Sequence, residues 1–386
     1  MLGIKVSNPI LVLFIIVSAG MGVAIIGGGS GIIKSAFSIS TSQPQPQYTI
    51  QPRQNNNTNS TILSNDNRTI VFRVAFVRPT FTYAAYQLNG FYNFYSKYID
   101  TQRGKNITTD LNLLTVKIPH GPFLLHNQKP GDKPGIKEQE DYFKTLMDHV
   151  VENKAPDPMK ISNITDKEVN DGIVFNHTNG TTGSSSSNNY TNAYDVLFLF
   201  HQEYATQTEY NNLKQFVENG GTIVFNDGNI LTTEVRYDNS NDTVTLLRGH
   251  NWQYNGKTAW YTGEPERWYN ETWKWVGSNF LDIPAPPKVN ATFSNDHFGY
   301  KHIEEQYVTN PKDKIILDFG TLVYENSSSV EKYSKYANAR VAFYELDSGH
   351  NNGRVIMLSI FAHKLGQNTD FLDFYDNKVI PLAFAS

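Results

Sequence analysis

The pattern of apolar and polar positions divides the chain into three kinds of segment. Residues 10–28 are nineteen positions without a charge, dominated by Ile, Leu, Val, Phe and small residues. An α-helix of that length crosses a hydrocarbon core roughly 30 Å thick. Residues 29–68 include a long run of Gln, Asn, Ser, Thr and Pro with too little apolar surface to fold. We therefore expect a membrane anchor, a flexible stalk and a folded body that begins at residue 69.

The charges beside residues 10–28 predict how the anchor is oriented. Lys5 and the amino terminus precede it, which favours residues 1–9 in the cytoplasm and the body outside the cell, although Lys34 weakens the bias. A cleaved signal peptide is the alternative, because residues 18–20 are small. A signal-peptide core normally runs about 7–15 residues, so a retained single-pass anchor is favoured.

The body alternates between strand-like and helical patterns. Residues 196–200 are all apolar, as in a parallel strand covered on both faces. Thr206 and Glu209 form a capping-box pattern that opens a helix, Gly220 and Gly221 end it, and residues 222–225 form the next strand. Such a unit is a right-handed parallel crossover. We predict an α/β fold with a flavodoxin-like, doubly wound parallel sheet, built from residues 69–230 and 313–386.

Residues 231–312 interrupt this alternation and read as an aromatic-rich β insertion. They contain every tryptophan of the chain: Trp252, Trp260, Trp268, Trp273 and Trp275. Five tryptophans in one insertion more often pack together as the small core of that insertion. With His250, a surface that stacks sugar rings is the alternative, and Trp252 and Trp260 are then candidate ligand-binding residues.

Composition excludes several classes of function. The net charge of −4, without a clustered basic face, argues against nucleic acid as a partner. The chain has no cysteine, which excludes disulfides, thiol nucleophiles, cysteine zinc sites and iron–sulfur clusters. A body of this size without disulfides, if it lies outside the cell, favours a prokaryotic or archaeal origin.

The chain is dense in Asn-X-Ser/Thr triplets, several of them in polar stretches where a glycan is tolerated. The triplets begin at Asn56, Asn59, Asn67, Asn106, Asn163, Asn176, Asn179, Asn189, Asn241, Asn270, Asn290 and Asn326. Together with the orientation of the anchor, they predict a glycosylated body outside the cell.

Several short motifs of the body carry a resemblance. The strand that opens at Tyr194-Asp195-Val196 and the helix that ends at residues 216–221 look like the fold of the class I glutamine amidotransferase-like superfamily. Within it, Gly353-Arg354-Val355 through His363 and Glu304-Glu305-Gln306-Tyr307 are similar to segments of the trehalose-utilisation family. His201-Gln202-Glu203-Tyr204 is similar to the His-Asp-Glu-Tyr of the N,N-dimethylformamidase large subunit, in its C-terminal part.

The resemblance carries one departure and two implications. Asn226 stands where the amidotransferases have their cysteine nucleophile, which excludes glutamine hydrolysis by that mechanism. The formamidase family holds iron with tyrosines and a glutamate, of which the motif carries over only Tyr204. If the fold follows its relatives, Glu304 and Glu305 reach the same site; the alternative is a solvated strand edge.

The carboxyl ends of the predicted strands mark the candidate site, because ligands of open α/β sheets bind there. His201, Glu203 and Tyr204 follow one strand, Asn226 and Asp227 the next, and His363 the last. We expect His201, Glu203, Asp227 and His363 to be catalytic. Tyr204, Asn226, Glu304 and Glu305 are candidate ligand-binding residues, and His201, Glu203 and Tyr204 could hold a divalent metal such as zinc or iron. Taken singly, each histidine is more often structural.

Two functions stay open. The missing nucleophile favours a surface protein that binds carbohydrate or another cell-surface protein, or is structural. The polar residues retained at the strand ends favour a hydrolase outside the cytoplasm that cleaves an amide or a glycan with metal or carboxylate chemistry.

Overall fold

A computed structural model gives the structure of the protein. It describes residues 71–86, 108–110, 136–152, 158–177, 190–248, 252–254, 257–260, 267–281, 291–300, 305–308, 313–324 and 340–385. All of them belong to one compact unit, Asp66–Ser386.

Strands and helices alternate in the first part of this unit, and runs of consecutive strands follow. The strands are β1 (Phe72–Arg78), β2 (Thr108–Asp110), β3 (Met159–Thr165), β4 (Phe175–His177), β5 (Tyr190–Asn192), β6 (Val196–Leu199), β7 (Tyr204–Ala205), β8 (Thr222–Phe225), β9 (Thr233–Asp238), β10 (Thr243–Arg248), β11 (Trp252–Tyr254), β12 (Lys257–Trp260), β13 (Ser278–Leu281), β14 (Ala291–Phe293), β15 (Glu305–Val308), β16 (Lys314–Tyr324), β17 (Arg340–Asp347) and β18 (Arg354–Leu358). The helices are α1 (Thr80–Tyr86), α2 (Ile136–Glu152), α3 (Asp166–Asn170), α4 (Gln207–Glu218), α5 (Tyr269–Trp275), α6 (Thr369–Phe374) and α7 (Ile380–Ala383). A 3₁₀ turn, Ala362–Leu365, follows β18, and a π-helical turn, Tyr375–Val379, joins α6 to α7.

The main sheet combines a parallel half with an antiparallel wing. Its principal order is β13-β15-β17-β18-β8-β6-β1-β3. The five strands from β18 to β3 run parallel to one another. Strand β17 pairs antiparallel with β18, and β13 to β16 continue that wing. The fold is therefore mixed α/β with a large sheet rich in parallel pairs.

Alternating side chains of the parallel strands feed two separate cores. On β1, Val74 and Phe76 face the core that holds α2 and the C-terminal helices. Ala75 and Val77 point the other way, into a core with α4 and α5. Because successive residues of a strand face opposite sides, continuous apolar runs are what this two-sided covering requires.

The predicted crossover around α4 is confirmed. Strands β6 and β8 are adjacent and parallel, with Val196 opposite Thr222, and α4 connects them. The Thr206 hydroxyl caps the helix by accepting from the backbone N–H of Glu209 at 2.9 Å. Gly220 has a φ of +94°, the left-handed conformation that glycine adopts at least cost.

The structure differs from the predicted fold in the region after α4. The sheet is not parallel throughout, since β15, β16 and β17 run antiparallel to their neighbours. Strands β13 and β15 come from the predicted insertion and join the main sheet. These strands join the main sheet because β17 pairs with β18 along one edge only. Its other edge is open to pairing with strands from distant parts of the chain.

Two of the five tryptophans belong to the core of the main body. Trp268 and Trp275 are buried in the core against α4. Trp268 stacks on Tyr210 with ring centroids 4.5 Å apart, and the indole N–H of Trp275 donates to the Tyr210 hydroxyl at 2.8 Å. Trp252 and Trp260 lie opposite each other in a two-stranded sheet, β11-β12.

Several predictions fall outside the described residues. These are the anchor at 10–28, the stalk at 29–68, Glu304, His250 and the triplets at Asn56, Asn59, Asn67, Asn106, Asn179, Asn189, Asn290 and Asn326. Among the helices that the described ranges contain, none is long and apolar enough to cross a bilayer.

Candidate functional site

Three adjacent parallel strands deliver the candidate site to one edge of the sheet. His201 follows β6, Asp227 follows β8, and His363 lies in the 3₁₀ turn after β18. Since β6, β8 and β18 are neighbours, their carboxyl ends bring these side chains together. With Glu203 they form what we call the quartet: His201, Glu203, Asp227 and His363.

The quartet is a chain of short polar contacts. Nε2 of His201 lies 3.2 Å from a carboxylate oxygen of Glu203, and Nδ1 lies 3.4 Å from Oδ1 of Asp227. The other oxygen of Asp227 lies 2.6 Å from Nδ1 of His363. Asp227 therefore bridges the two imidazoles, and Glu203 holds the far side of one of them.

Burial and charge act on these groups in opposite directions. Burial lowers the pKa of both histidines, but for His201 the carboxylates of Asp227 and Glu203 outweigh it and the pKa is raised. For His363 burial prevails over the single contact with Asp227, and the pKa is lowered. Burial by itself raises the pKa of Asp227, yet the two imidazoles lower it below its ordinary value. The quartet thus pairs an ionised Asp227 with one readily charged histidine and one that stays neutral.

The arrangement has the chemistry of a metal site. One potential ligand atom each from His201, Asp227 and His363 lies within 4.8 Å of the others. Two imidazoles and a carboxylate suit zinc and iron. Nε2 of His363 has no hydrogen-bond partner in the part of the chain that the structure describes. The carboxylate of Glu203 on the second nitrogen of His201 is the partner that metal-bound histidines usually have.

The loop after β8, which carries Asp227, is held close to the segments that carry the other quartet residues. A side chain at Gly228 would meet backbone atoms of Ile360 at 2.9 Å, so this close approach needs glycine. Leu231 has a φ of +51°, a strained conformation for a branched residue, and its N–H donates to the carbonyl of Gln202 at 2.7 Å. The ring of Phe361 lies 5.8 Å from that of His201.

The other predicted site residues have different surroundings. Asn226 is committed to the fold, because its amide donates to the carbonyl of Leu199 at 3.1 Å and accepts from the Tyr375 hydroxyl at 2.8 Å. The ligand-binding role of Asn226 stays a prediction, for an amide that already makes these two hydrogen bonds. Tyr204 is fully buried at the start of β7, and its N–H donates to the Thr82 hydroxyl. Glu305 lies on β15, which β17 separates from β18.

Sequence reasoning missed an acid pair beside the quartet. Asp166 and Glu209 are both fully buried. Asp166 accepts from the Thr80 hydroxyl and from the N–H of Phe81 at 2.7 Å, and Glu209 accepts from the side-chain amide of Gln202 at 3.0 Å. Burial raises the pKa of Asp166 to about 7 and, together with the charge of Asp166, raises that of Glu209 well above its ordinary value. The sequence does contain a signal that Glu209 is buried, because it lies on the same helix face as the apolar residues Leu213 and Phe216.

Comparison with known proteins identifies the family of most of the chain. Residues 49–353 match the family described as N,N-dimethylformamidase beta subunit-like, C-terminal. That range includes His201, Glu203 and Asp227 and ends before His363. No curated protein matches the chain.

Solved structures are similar only at a low level. A beta-galactosidase from Bacillus circulans sp. alkalophilus has 12% identity and a TM-score of 0.29, over 66% of this chain and 29% of that one. An exo-beta-1,4-mannosidase from Opitutaceae bacterium strain TAV5 has 11% identity and a TM-score of 0.26, over 67% and 32%. The N-terminal domain of mmIFT52 has 12% identity and a TM-score of 0.33, over 63% and 90%. The chain spans about a third or less of each glycosidase, and likenesses this distant carry no argument about fold or function.

Proposed function

The chain belongs to the N,N-dimethylformamidase beta subunit-like C-terminal family, and from that premise we propose that it is a metal-dependent hydrolase of a carboxamide. The reaction adds water to the C–N bond and yields an amine and a carboxylic acid. The observation that carries the proposal is the cluster of His201, Asp227 and His363 within 4.8 Å at one sheet edge.

The quartet supports this chemistry through its donors. One nitrogen each of His201 and His363 and one oxygen of Asp227 would hold zinc or iron, leaving a position open for water or substrate. A metal bound there polarises a carbonyl and lowers the pKa of water. Glu203 fixes the ring of His201 through its 3.2 Å contact, so that Nδ1 faces Asp227. Of the iron set that the resemblance implies, tyrosines with a glutamate, the motif carries over only Tyr204.

We propose that the hydrolase acts outside the cytoplasm. We propose that residues 10–28 anchor the chain, that the body is glycosylated and outside the cell, and that the fold is of the flavodoxin-like, amidotransferase-like kind. Four triplets begin in the described ranges, at Asn163, Asn176, Asn241 and Asn270, and all four asparagines are exposed. That exposure is what a glycosylated surface requires.

Burial favours a second candidate function. His201 is 4% exposed, His363 5%, and Glu203 and Asp227 0%. A quartet closed off in this way also fits a surface binding or structural protein in which the contacts only stabilise the fold.

Metal content and amide hydrolysis distinguish the two. The full chain, purified in detergent, is incubated with zinc or iron(II), desalted and measured for bound metal, then assayed for release of dimethylamine from N,N-dimethylformamide. We expect about one metal per chain and loss of both metal and activity in His201→Ala and His363→Ala. His149→Ala is the matched control, because His149 pairs with Asp376 away from the quartet. Variants that lose a little stability but bind as much metal as the unaltered chain would establish the structural alternative.

A further inference from the structure

A cavity lies at the sheet edge opposite the quartet. Its lining includes Arg73 and Lys160 near the starts of β1 and β3, and Tyr194, just before β6. These are the amino ends of parallel strands, whereas the quartet lies at the carboxyl ends. The cavity measures about 640 Å³, within the roughly 300–1,000 Å³ of ligand pockets.

The lining of this cavity suits a neutral, hydroxyl-rich ligand. Lys160 and Arg73 contribute positive charge and Glu168 and Asp171 negative charge, so the lining favours neither cations nor anions. The guanidinium of Arg73 is already bound to Asp195, with Nη2 2.5 Å from a carboxylate oxygen. Charged groups of both signs are good partners for hydroxyls, which donate and accept hydrogen bonds.

Apolar surface in the same cavity suits the face of a sugar ring. Tyr194 and Phe175 line it and are only partly buried, and Ile173 beside them is 42% exposed. Aromatic and aliphatic surfaces pack against the C–H face of a pyranose while the hydroxyls around the ring find polar partners. The mixture of charge and exposed apolar surface therefore matches carbohydrate.

An attachment point for carbohydrate lies in the lining itself. Asn176 lines the cavity, is exposed, and begins the triplet Asn176-His177-Thr178. Its side-chain Nδ2 donates to the carbonyl of Asn192 at 3.2 Å. Nδ2 carries two hydrogens and glycosylation replaces one, which leaves one N–H that can still donate a hydrogen bond.

We propose that the cavity is occupied by the first sugars of an N-linked glycan on Asn176. In the attachment, Nδ2 loses a proton and bonds to the anomeric carbon of a glycosyl phosphate or diphosphate donor, which releases its phosphate group. A separate glycosyltransferase carries out this step. Covalent tethering then keeps the sugar at high effective concentration beside Tyr194 and Ile173. The proposal rests on the extracytoplasmic placement and is independent of metal binding and amide hydrolysis.

The test uses the full chain purified from its native source. Glycopeptide mass spectrometry should find Asn176 modified. Thr178→Ala removes the triplet but keeps Asn176, and we expect it to lower the Tm by about 2 °C or more. Asn241→Gln, at an exposed triplet outside the cavity, is the control and should leave the Tm unchanged.

A second substitution shows whether the sugar lies in the cavity. Tyr194→Ser should lower the Tm of the glycosylated chain more than it lowers that of the Thr178→Ala variant, because only the first has a sugar to lose contact with. An unmodified Asn176 overturns the proposal, and so does an equal effect of Tyr194→Ser in both backgrounds. Neither result bears on the quartet, whose metal content is measured separately.

Discussion

At the scale of single residues, the behaviour of each buried polar group depends on its few neighbours. His201 has carboxylates on both ring nitrogens, and His363 has one carboxylate on one nitrogen. The two imidazoles therefore have pKa values shifted in opposite directions. In the buried acid pair, Asp166 and Glu209, burial raises the pKa of both carboxyl groups, and the charge of Asp166 raises that of Glu209 further.

Glu203 should matter for metal binding without being a ligand. Glu203→Gln keeps the shape of the side chain but removes the charge that orients and polarises His201. We expect metal affinity to fall by roughly tenfold or more, as for other partners of metal-bound histidines, with the fold intact. Competition with a chelator measures the affinity, and circular dichroism checks the fold. Glu271→Gln is the control, because Glu271 is an exposed acid on α5. Equal metal affinity in the two variants would show that Glu203 does not contribute to metal binding.

The acid pair should make stability fall as pH rises. The pKa of Asp166 is about 7 in the folded chain and its ordinary value is 3.8, so the folded state holds a proton that the unfolded state releases between those values. Stability from the protonated pair is complete below about pH 4 and is lost as pH rises towards 7.

Glu209→Gln tests this linkage, because glutamine cannot ionise. We expect its free energy of unfolding to equal that of the unaltered chain near pH 4 and to exceed it near pH 8 by about 1 kcal/mol or more, since one pKa unit is about 1.4 kcal/mol. Urea denaturation at the two pH values, in the presence of a chelator, provides the comparison. A difference that is the same at both pH values would mean that folding does not shift the pKa of Glu209.

At the scale of elements, α4 shows how local signals define a segment. Thr206 caps its amino end, Gly220 ends it in the left-handed conformation, and its apolar face covers β6 and β8. The Thr206 hydroxyl also donates to the side chain of Asn170 at 2.6 Å, which ties α4 to the end of α3. One side chain therefore stabilises a helix start and a contact between helices.

Removing this cap should destabilise the body by a modest amount. Thr206→Ala leaves the N–H of Glu209 without its acceptor, and we expect a loss of about 1 kcal/mol in the free energy of unfolding. Thr206→Ser keeps the hydroxyl and should restore most of it. Both are measured by urea denaturation at constant pH, and an alanine variant as stable as the serine variant would show that water replaces the cap.

At the scale of the whole molecule, the quartet and the cavity lie at opposite ends of the parallel strands. The quartet lies at the carboxyl ends of β6, β8 and β18, and the cavity lined by Asn176 lies at the amino ends of β1 and β3. A glycan at one edge and a metal at the other would therefore not compete for space.

The proposed anchor is testable on the native protein. If residues 10–28 stay in the membrane, the mature chain keeps its amino terminus, and intact-mass measurement or N-terminal sequencing should find Met1 or the residue after it. The charge-free length and the stalk that follows motivate this expectation. A mature chain that begins after Gly20 would instead identify a cleaved signal peptide.

The sequence by itself determined the features that depend on near neighbours in the chain. The apolar run before His201, the cap at Thr206 and the glycine at 220 predicted β6, α4 and β8, because strand, cap and turn preferences act over a few residues. Parallel strands end at one edge, so the same reasoning grouped His201, Asp227 and His363 before any distance was known.

Only the tertiary structure decided which distant segments meet. The sequences of β13 and β15 do not indicate that these strands extend the main sheet. Their pairing depends on the open edge of β17, which is distant in the chain. The sequence likewise does not show that Leu199 and Tyr375, both far away in the chain, hydrogen-bond the amide of Asn226. The raised pKa values of Asp166 and Glu209 likewise arise from burial by several elements at once. Such properties depend on three-dimensional neighbours, which residue periodicity does not encode.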